Sequence, residues 1–429
     1  MKRVLIIAYY WPPSGGSGVQ RWVKFVKHLR SFGWEPVIYT PENPFVTEHD
    51  ETLLKEIPEG VEVLKHPVFE IAKFFGAPAS SNRTNTSPSF FSKVKKQLGS
   101  FVRGNFFIPD PRVLWVSPSV KFLTGYLSKN KVDAIVSTGP PNSMHLIARG
   151  VKTKTNIPWL ADFRDPWLEV LKFHDFNISS LAMNRHRQLF SSVLKNADSI
   201  LVAHPSVREN FEKLTTVKVE CVTNGYDEAD LQQALPAKTD PSRFKIVFVG
   251  ILYDALNSSA FWQAIAGLCA ENSSFKQKLE LIFAGKVKEA AMIDIEKNGL
   301  TAFCNFAGYV DHLTAVGYEK AADVLLLFTP PGDEFKYIIP GKLFEYLGVQ
   351  KPILCVAPKE NDSAQIVLQT KGGEVVHPDK KEEIKNAILK MFELFEKGEL
   401  RVSSEDYGQY ERKNLTARLV NVLNLMQKK

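Results

Sequence analysis

Short apolar runs of strand length punctuate the chain in two series. The first comprises residues 4–8, 36–40, 61–64, 134–137, a run ending at Asp162, 197–203 and 217–222; the second comprises 245–249, 279–284, 304–307, 323–328, 353–356 and 374–376. Between them lie stretches with apolar residues at helical spacing, such as Val19, Trp22, Val23, Phe25, Val26 and Leu29. Strands alternating with helices imply a parallel, doubly wound sheet, and two series imply two such sheets. A chain of 429 residues is too long for one core of the usual size. The predicted architecture is α/β with two Rossmann-like domains: residues 1–230, a linker at 231–242 holding two prolines, then 243–406. Leu415, Leu419, Val422, Leu423 and Met426 mark an amphipathic helix in the closing segment, 407–429.

One interval breaks the alternation. Residues 76–110 read as an irregular insertion, rich in Ser, Asn, Thr and Pro over 76–89 and predicted to be mobile. It runs into the stretch 90–103, where Phe90, Phe91, Val94, Leu98, Phe101 and Val102 share one helical face and Lys93, Lys95, Lys96 and Arg103 flank or oppose it. Such a helix lies on an anionic membrane or packs on its own domain with a solvated basic face. The net charge of +7 suits an anionic ligand or an anionic membrane surface as partner and gives no indication of nucleic acid. Cys221, Cys269, Cys304 and Cys355 have no metal-type spacing and read as free thiols in a reducing compartment. The apolar run at the N-terminus is too short for a signal peptide, and no run approaches membrane-spanning length. A cytoplasmic protein, at most peripheral on the inner face of the membrane, is expected.

Candidate chemistry concentrates in residues 340–356. A helix entered through Pro340 and Gly341 and closed near Gly348 is followed by a buried-type strand at 353–356. Lys342 falls in its first turn, where free N–H groups and the positive dipole end favour an anion, and Glu345 follows one turn along the same face. The pair suits a nucleotide diphosphate with its ribose, or is an ordinary surface ion pair. Gly15, Gly16 and Gly18 follow the first strand and precede a helix, a phosphate loop or a structural turn. His145 falls in the first turn of a helix that Asn142 or Ser143 would cap. At 162–165 the cluster Asp-Phe-Arg-Asp places Asp162 and Arg164 on one side of an extended chain, as an ion-pair brace or as substrate ligands.

The segment 340–350, with Ala-Ala-Asp-Val-Leu-Leu-Leu-Phe at 321–328 before it and Pro352, Ile353 and Leu354 after it, resembles the donor-binding motif of retaining glycosyltransferases of the family 4 type, group 1 of the GT-B fold. The Asp-x-Arg-Asp-x-Trp run at 162–167 is similar to segments in members that use bacterial polysaccharide precursors, and Asn224 to Asp227 resembles the stretch that closes the first domain. The resemblance implies two domains facing a cleft, with the last helix crossing back to the first. It implies a nucleotide diphosphate sugar as donor, a glycan or lipid-linked acceptor, and no metal or other cofactor. By residue, it implies catalytic roles for His145, Asp162, Arg164 and Lys342. Donor contacts fall at Gly15, Gly16, Gly250, Tyr309, Val310, Tyr337, Gly341, Lys342 and Glu345, with the backbone after Gly308 holding the base. Two departures stand out: the first acid of the family's pair, seven residues before the second, falls on Tyr337, with Glu334 nearby, and residues 250–257 lack the usual basic pair. A sugar-nucleotide epimerase of the same fold, with Asp162 and Asp165 as its acid and base, and a non-catalytic sugar-nucleotide-binding scaffold are the alternatives.

Overall fold

A computed structural model of the chain describes residues 1–45, 49–69, 101–102, 104–173, 178–403 and 405–427. The stretch 90–103 and most of the insertion 76–110 lie outside the described residues, Phe101 and Val102 apart. Residues 1–223 with 415–429 form one compact unit and 224–414 a second. Among the described residues no helix is long and apolar enough to cross a membrane.

The first unit runs β1 (Lys2–Ile7), α1 (Ser17–Leu29), β2 (Trp34–Pro41), β3 (Glu62–His66), α2 (Val116–Leu127), β4 (Ala134–Gly139), α3 (Ser143–Thr155), β5 (Trp159–Phe163), α4 (Trp167–Phe173), α5 (Ser180–Asn196), β6 (Ser199–Val202), α6 (Pro205–Glu212) and β7 (Val219–Cys221). The second runs α7 (Glu228–Gln233), β8 (Phe244–Val249), α8 (Ser259–Glu271), α9 (Ser273–Lys278), β9 (Leu279–Ala284), α10 (Glu289–Lys297), β10 (Cys304–Gly308), α11 (His312–Ala321), β11 (Val324–Phe328), α12 (Lys342–Val349), β12 (Ile353–Val356), α13 (Asp362–Gln369), β13 (Gly373–Val376) and α14 (Lys381–Glu396). Helix α15 (Arg412–Met426) closes the chain. The sheet orders are β3-β2-β1-β4-β5-β6-β7 and β10-β9-β8-β11-β12-β13, with every strand pairing parallel. Each sheet therefore reverses direction beside its first strand, the doubly wound plan.

The continuous apolar runs explain why both faces of each sheet are covered. In the second unit Phe244, Ile246, Phe248, Leu281 and Phe283 pack toward α8 and α14, while the intervening Val247, Val249, Ile282 and Ala284 pack toward α12 and α13. Alternate residues of one run thus feed two cores. In the first unit Val4, Ile6 and Ala8 join α1 and the apolar face of α15, whose Leu415, Leu419 and Leu423 are completely buried. Burying each such leucine contributes about 1.5–3 kcal/mol.

Three local readings change. Helix α3 is not capped by Asn142 or Ser143; Asp110 accepts from Ser143 N–H at 2.8 Å and Ser143 Oγ at 2.9 Å, so a carboxylate far back in the chain occupies that positive helix end. Helix α12 ends one residue later than expected, with Gln350 taking the left-handed position (φ 54°). Gly348 is glycine for packing, since a Cβ there would meet Leu231 at 2.6 Å and Tyr226 at 2.9 Å. Leu231 and Ala234, inside the stretch read as a linker, are buried in the core of the second unit.

Candidate functional site

In the second unit the charged groups gather where the strand order reverses. The pairing of β8 with β11 stops at Val247 and Leu325, so the backbone of Val249 has no sheet partner on that side. Helix α12 supplies one. Tyr346 Oη accepts from Val249 N–H at 3.1 Å, and Lys342 Nζ donates to Val249 C=O at 2.7 Å. Lys342 and Tyr346 stand one turn apart, and the intervening Glu345 shares their side of the helix. Such a switch point, at the carboxyl ends of the strands, is where doubly wound sheets take ligands.

The Lys342 ammonium also lies 3.7 Å from the centroid of the Phe248 ring. A Cβ on Gly250 would stand 3.5 Å from it, and Gly250 itself is left-handed (φ 102°). Burial draws the Lys342 pKa down to about 7, against the negative charges of Glu319 and Glu345. A lysine so poised recovers full charge when an anion arrives. No side chain caps the N-terminus of α12 at Gly341.

Glu345 is partly open to solvent, its Oε1 4.0 Å from His312 Nδ1, whose Nε2 lies 3.5 Å from Asp230. Burial raises its pKa, His312 working against the rise and Asp230 adding to it. Glu319, on α11, is completely buried; neither carboxyl oxygen meets a donor group among the described residues, and the carboxyl lies within hydrogen-bonding reach of Glu345. Burial first and Glu345 second push its pKa well above the usual range.

Around this cluster the remaining donor-side candidates disperse. Tyr309 is 86% exposed and Val310 partly buried, both following Gly308 (φ 69°) at the end of edge strand β10. Tyr337 lies partly buried in a loop whose neighbouring carbonyls are tied to the start of α13: Asp362 N–H, Asn361 Nδ2 and Ser363 Oγ donate to Lys336, Phe335 and Ile338. Glu334 is exposed and folds back over Gly332.

The first unit has its own constellation at the ends of β1, β4 and β5. Gly15 and Gly16 precede α1, with Gly16 (φ 97°) as its N-cap and no side chain capping that end. Both Asp162 and Arg164 point at α1. Arg164 lies against Gly18, where a Cβ would overlap its guanidinium at 1.6 Å, and donates from Nε to Gly139 C=O at 3.1 Å and from Nη2 to Pro140 C=O. Asp162 is completely buried. It accepts from Arg21 Nη2 (3.1 Å), Trp22 Nε1 (2.8 Å) and Thr138 Oγ1 (2.9 Å), and so anchors α1 with both oxygens engaged by the protein.

His145 stands on the other side of Gly139, where a Cβ would lie 2.6 Å from its Nε2. It is completely buried, Nδ1 lies 2.8 Å from Ser137 Oγ, and Nε2 has no hydrogen-bond partner among the described residues. Burial lowers its pKa to about 3, with Asp162 opposing and Arg164 assisting. His186 is lowered to about 4 by burial, its Nδ1 accepting from Trp167 Nε1 at 3.2 Å.

These two histidines fix a pH dependence. Each folded-state value lies below the unfolded value of about 6.5, so the unfolded chain binds the extra proton. Stability is complete above pH 6.5 and falls with acidification, by about 2 kcal/mol per histidine by pH 5. Six of the seven tryptophans lie in the first unit, so their fluorescence reports its unfolding. Urea titrations at pH 7 and pH 5 are expected to show the loss, and His145→Gln to remove about half of it. An unchanged pH dependence in that variant would contradict the assignment.

Sequence reasoning missed Glu319, Arg21 and Asp110. Glu319 and Asp110 carry no local signal, since a lone acid in a helix or before Pro111 reads as solvated. Arg21 had one: it sits among Trp22, Val23, Phe25 and Val26, all completely or almost completely buried, with its guanidinium 5.0 Å from the Phe25 ring. Among the described residues no group of three or more His, Cys, Asp or Glu is arranged to hold a metal.

No protein-family model and no curated protein matches the chain. Solved structures do. A glycosyltransferase from Rickettsia africae ESF-5 superimposes with a TM-score of 0.61 at 11% identity, over 100% of this chain and 99% of its own. Anabaena Alr3699/HepE, solved with UDP-glucose, gives 0.61 at 11% over 99% and 100%. A UDP-GlcNAc 2-epimerase from Methanocaldococcus jannaschii gives 0.52 at 12% over 99% and 100%. At these identities the likeness establishes the fold, two Rossmann-like units of the GT-B class.

Proposed function

We propose that this chain is a glycosyltransferase that takes a sugar from a nucleotide diphosphate donor and passes it, with retention of configuration, to a glycan or lipid-linked acceptor. The observation that carries the reading is the placement of Lys342 and Glu345 at the switch point of the second sheet. Lys342 and the uncapped start of α12 at Gly341 would meet the charge that develops on the departing diphosphate. Glu345, partly open to solvent, would accept from ribose hydroxyls. Gly250 leaves room for close approach, and Tyr309 offers an exposed ring beside the base position. In the first unit, His145 Nε2 and Arg164 flank Gly139, and we assign them to the sugar and phosphate side of the reaction. Gly15 and Gly16 go with that assignment, and Tyr337 replaces an acid in holding the donor sugar.

The reaction as proposed needs no metal, because the protein's own cations meet the diphosphate; turnover undiminished by EDTA is the corresponding test. Bacterial cell-surface polysaccharide synthesis in the cytoplasm, on a membrane reached through residues 90–103, is the setting proposed from the sequence. Solved structures of epimerases share the fold, so epimerisation is the second reading. Its acid and base were to be Asp162 and Asp165, and the three donors held by Asp162 leave that pair one member short.

Calorimetric titration with UDP-, GDP-, ADP- and dTDP-sugars tests the proposal. One nucleotide class is expected to bind, with Lys342→Met lowering its affinity by about 10- to 100-fold, the worth of a charge-assisted contact. Failure of the folded protein to bind any sugar nucleotide would overturn the reading. Appearance of an epimerised sugar from donor alone would replace it with the second.

A further inference from the structure

Glu319 is a carboxyl group that the proposed reaction does not use. It sits on α11, completely buried; neither oxygen meets a donor group among the described residues, and its carboxyl lies within hydrogen-bonding reach of the Glu345 carboxyl. A buried polar group in that state costs about 1–3 kcal/mol, and more if ionised. Hydrophobic residues would fill the position without that penalty, since Val316 on the same helix packs into the core with Leu343 and Leu347 of α12. The charged groups acting on Glu319 are Glu345, which holds its proton in place, and Lys342, which draws it off. The chain thus lacks an acid at Tyr337 in the loop before α12, yet sets a second carboxyl beside Glu345 from another helix.

We propose that Glu319 is a positioning residue whose carboxylic O–H donates to Glu345, turning the solvent-facing oxygen of Glu345 toward the vicinal hydroxyls of a ribose. This inference rests on the donor-site reading. The arrangement relieves both groups: the buried acid gains an acceptor, and two carboxylates share one proton, so their mutual repulsion is absent. Glu345 stays an anionic acceptor, one turn along α12 from Lys342. Glu319 touches no ligand; it acts through Glu345.

Two variants separate this from mere filling of space. Glu319→Gln keeps a donor, its amide N–H, while Glu319→Leu keeps volume and removes the donor. Affinity is compared for the nucleoside diphosphate that binds best and for its 2′,3′-dideoxy analogue. Both ligands carry the same diphosphate, so any effect on Lys342 cancels in the ratio. The wild type and Glu319→Gln are expected to prefer the hydroxyl-bearing ligand equally, and Glu319→Leu to lose about tenfold of that preference while melting no lower than Glu319→Gln. A preference unchanged in Glu319→Leu would overturn this inference and leave the donor site standing. Absence of nucleotide binding in the wild type would overturn both.

Discussion

Arg21→Met is expected to destabilise the first unit by about 3–5 kcal/mol, the effect of removing one partner from a buried ion pair. Arg21 and Asp162 are 1% and 0% exposed at the side chain, with Nη2 and Oδ1 3.1 Å apart. Methionine fills most of the volume and follows the Phe25 ring, but leaves the Asp162 carboxylate with Trp22 and Thr138 alone. Arg21 Nη1 also donates to Thr223 C=O at 2.9 Å, so the variant frees the last residue of the unit's long segment. Urea unfolding followed by tryptophan fluorescence would measure the loss. Adding Asp162→Asn removes the stranded charge while keeping an acceptor for Trp22 and Thr138, and is expected to restore part of the stability. A single variant within 1 kcal/mol of wild type would show that Asp162 is free to do something else, and would reopen the epimerase reading.

Gly285→Ala is expected to cost about 4 kcal/mol, overpacking and backbone strain together. The added Cβ would stand 1.9 Å from the carbonyl oxygen of Gly250 and 2.6 Å from its carbon, and Gly285 has φ 145°. The obstruction is backbone, and that backbone is laced in place. Gly250 N–H donates to Ala284 C=O and Leu252 N–H to Lys286 C=O, both at 2.8 Å, while Gly285 bridges Gly308. Relief requires the ends of β8 and β9 to part, carrying Gly250 away from Lys342. Faster hydrogen exchange in β8 and β9 is therefore expected together with loss of nucleotide binding. Gly299→Ala is the control. Gly299 is also left-handed (φ 69°) but has open space around its Cβ position, so strain alone operates there and about 1 kcal/mol is expected. Equal effects in the two variants would refute the steric argument.

Much of the fold is written locally. The runs at 279–284 and 353–356 coincide with β9 and β12, because an apolar run of that length, broken by glycine or proline, satisfies the needs of a buried strand without reference to its neighbours. Their alternation with helical spacing then leaves the doubly wound arrangement as the economical solution. Lys342 was legible for a similar reason, since a lysine in the first turn of a helix after proline and glycine carries its own signal.

The state of the charged groups depended on tertiary structure. Asp162 and Arg164 look equivalent in the sequence, and alternation correctly puts both on one side. Only the packed α1 makes the first a buried anchor with both oxygens engaged and sets the second against Gly18 and Gly139. Asp110 reaches the start of α3 across an interval of 33 residues, and Glu319 stands near Glu345 from a separate helix. Periodicity speaks for neighbours along one element, whereas burial and pairing of charge are set by which elements the topology brings together. By itself, therefore, the sequence determined the strands, their winding and a cationic helix start; the tertiary structure decided which acids are spent on the fold and which remain for a ligand, because desolvation and hydrogen-bond saturation arise only on packing.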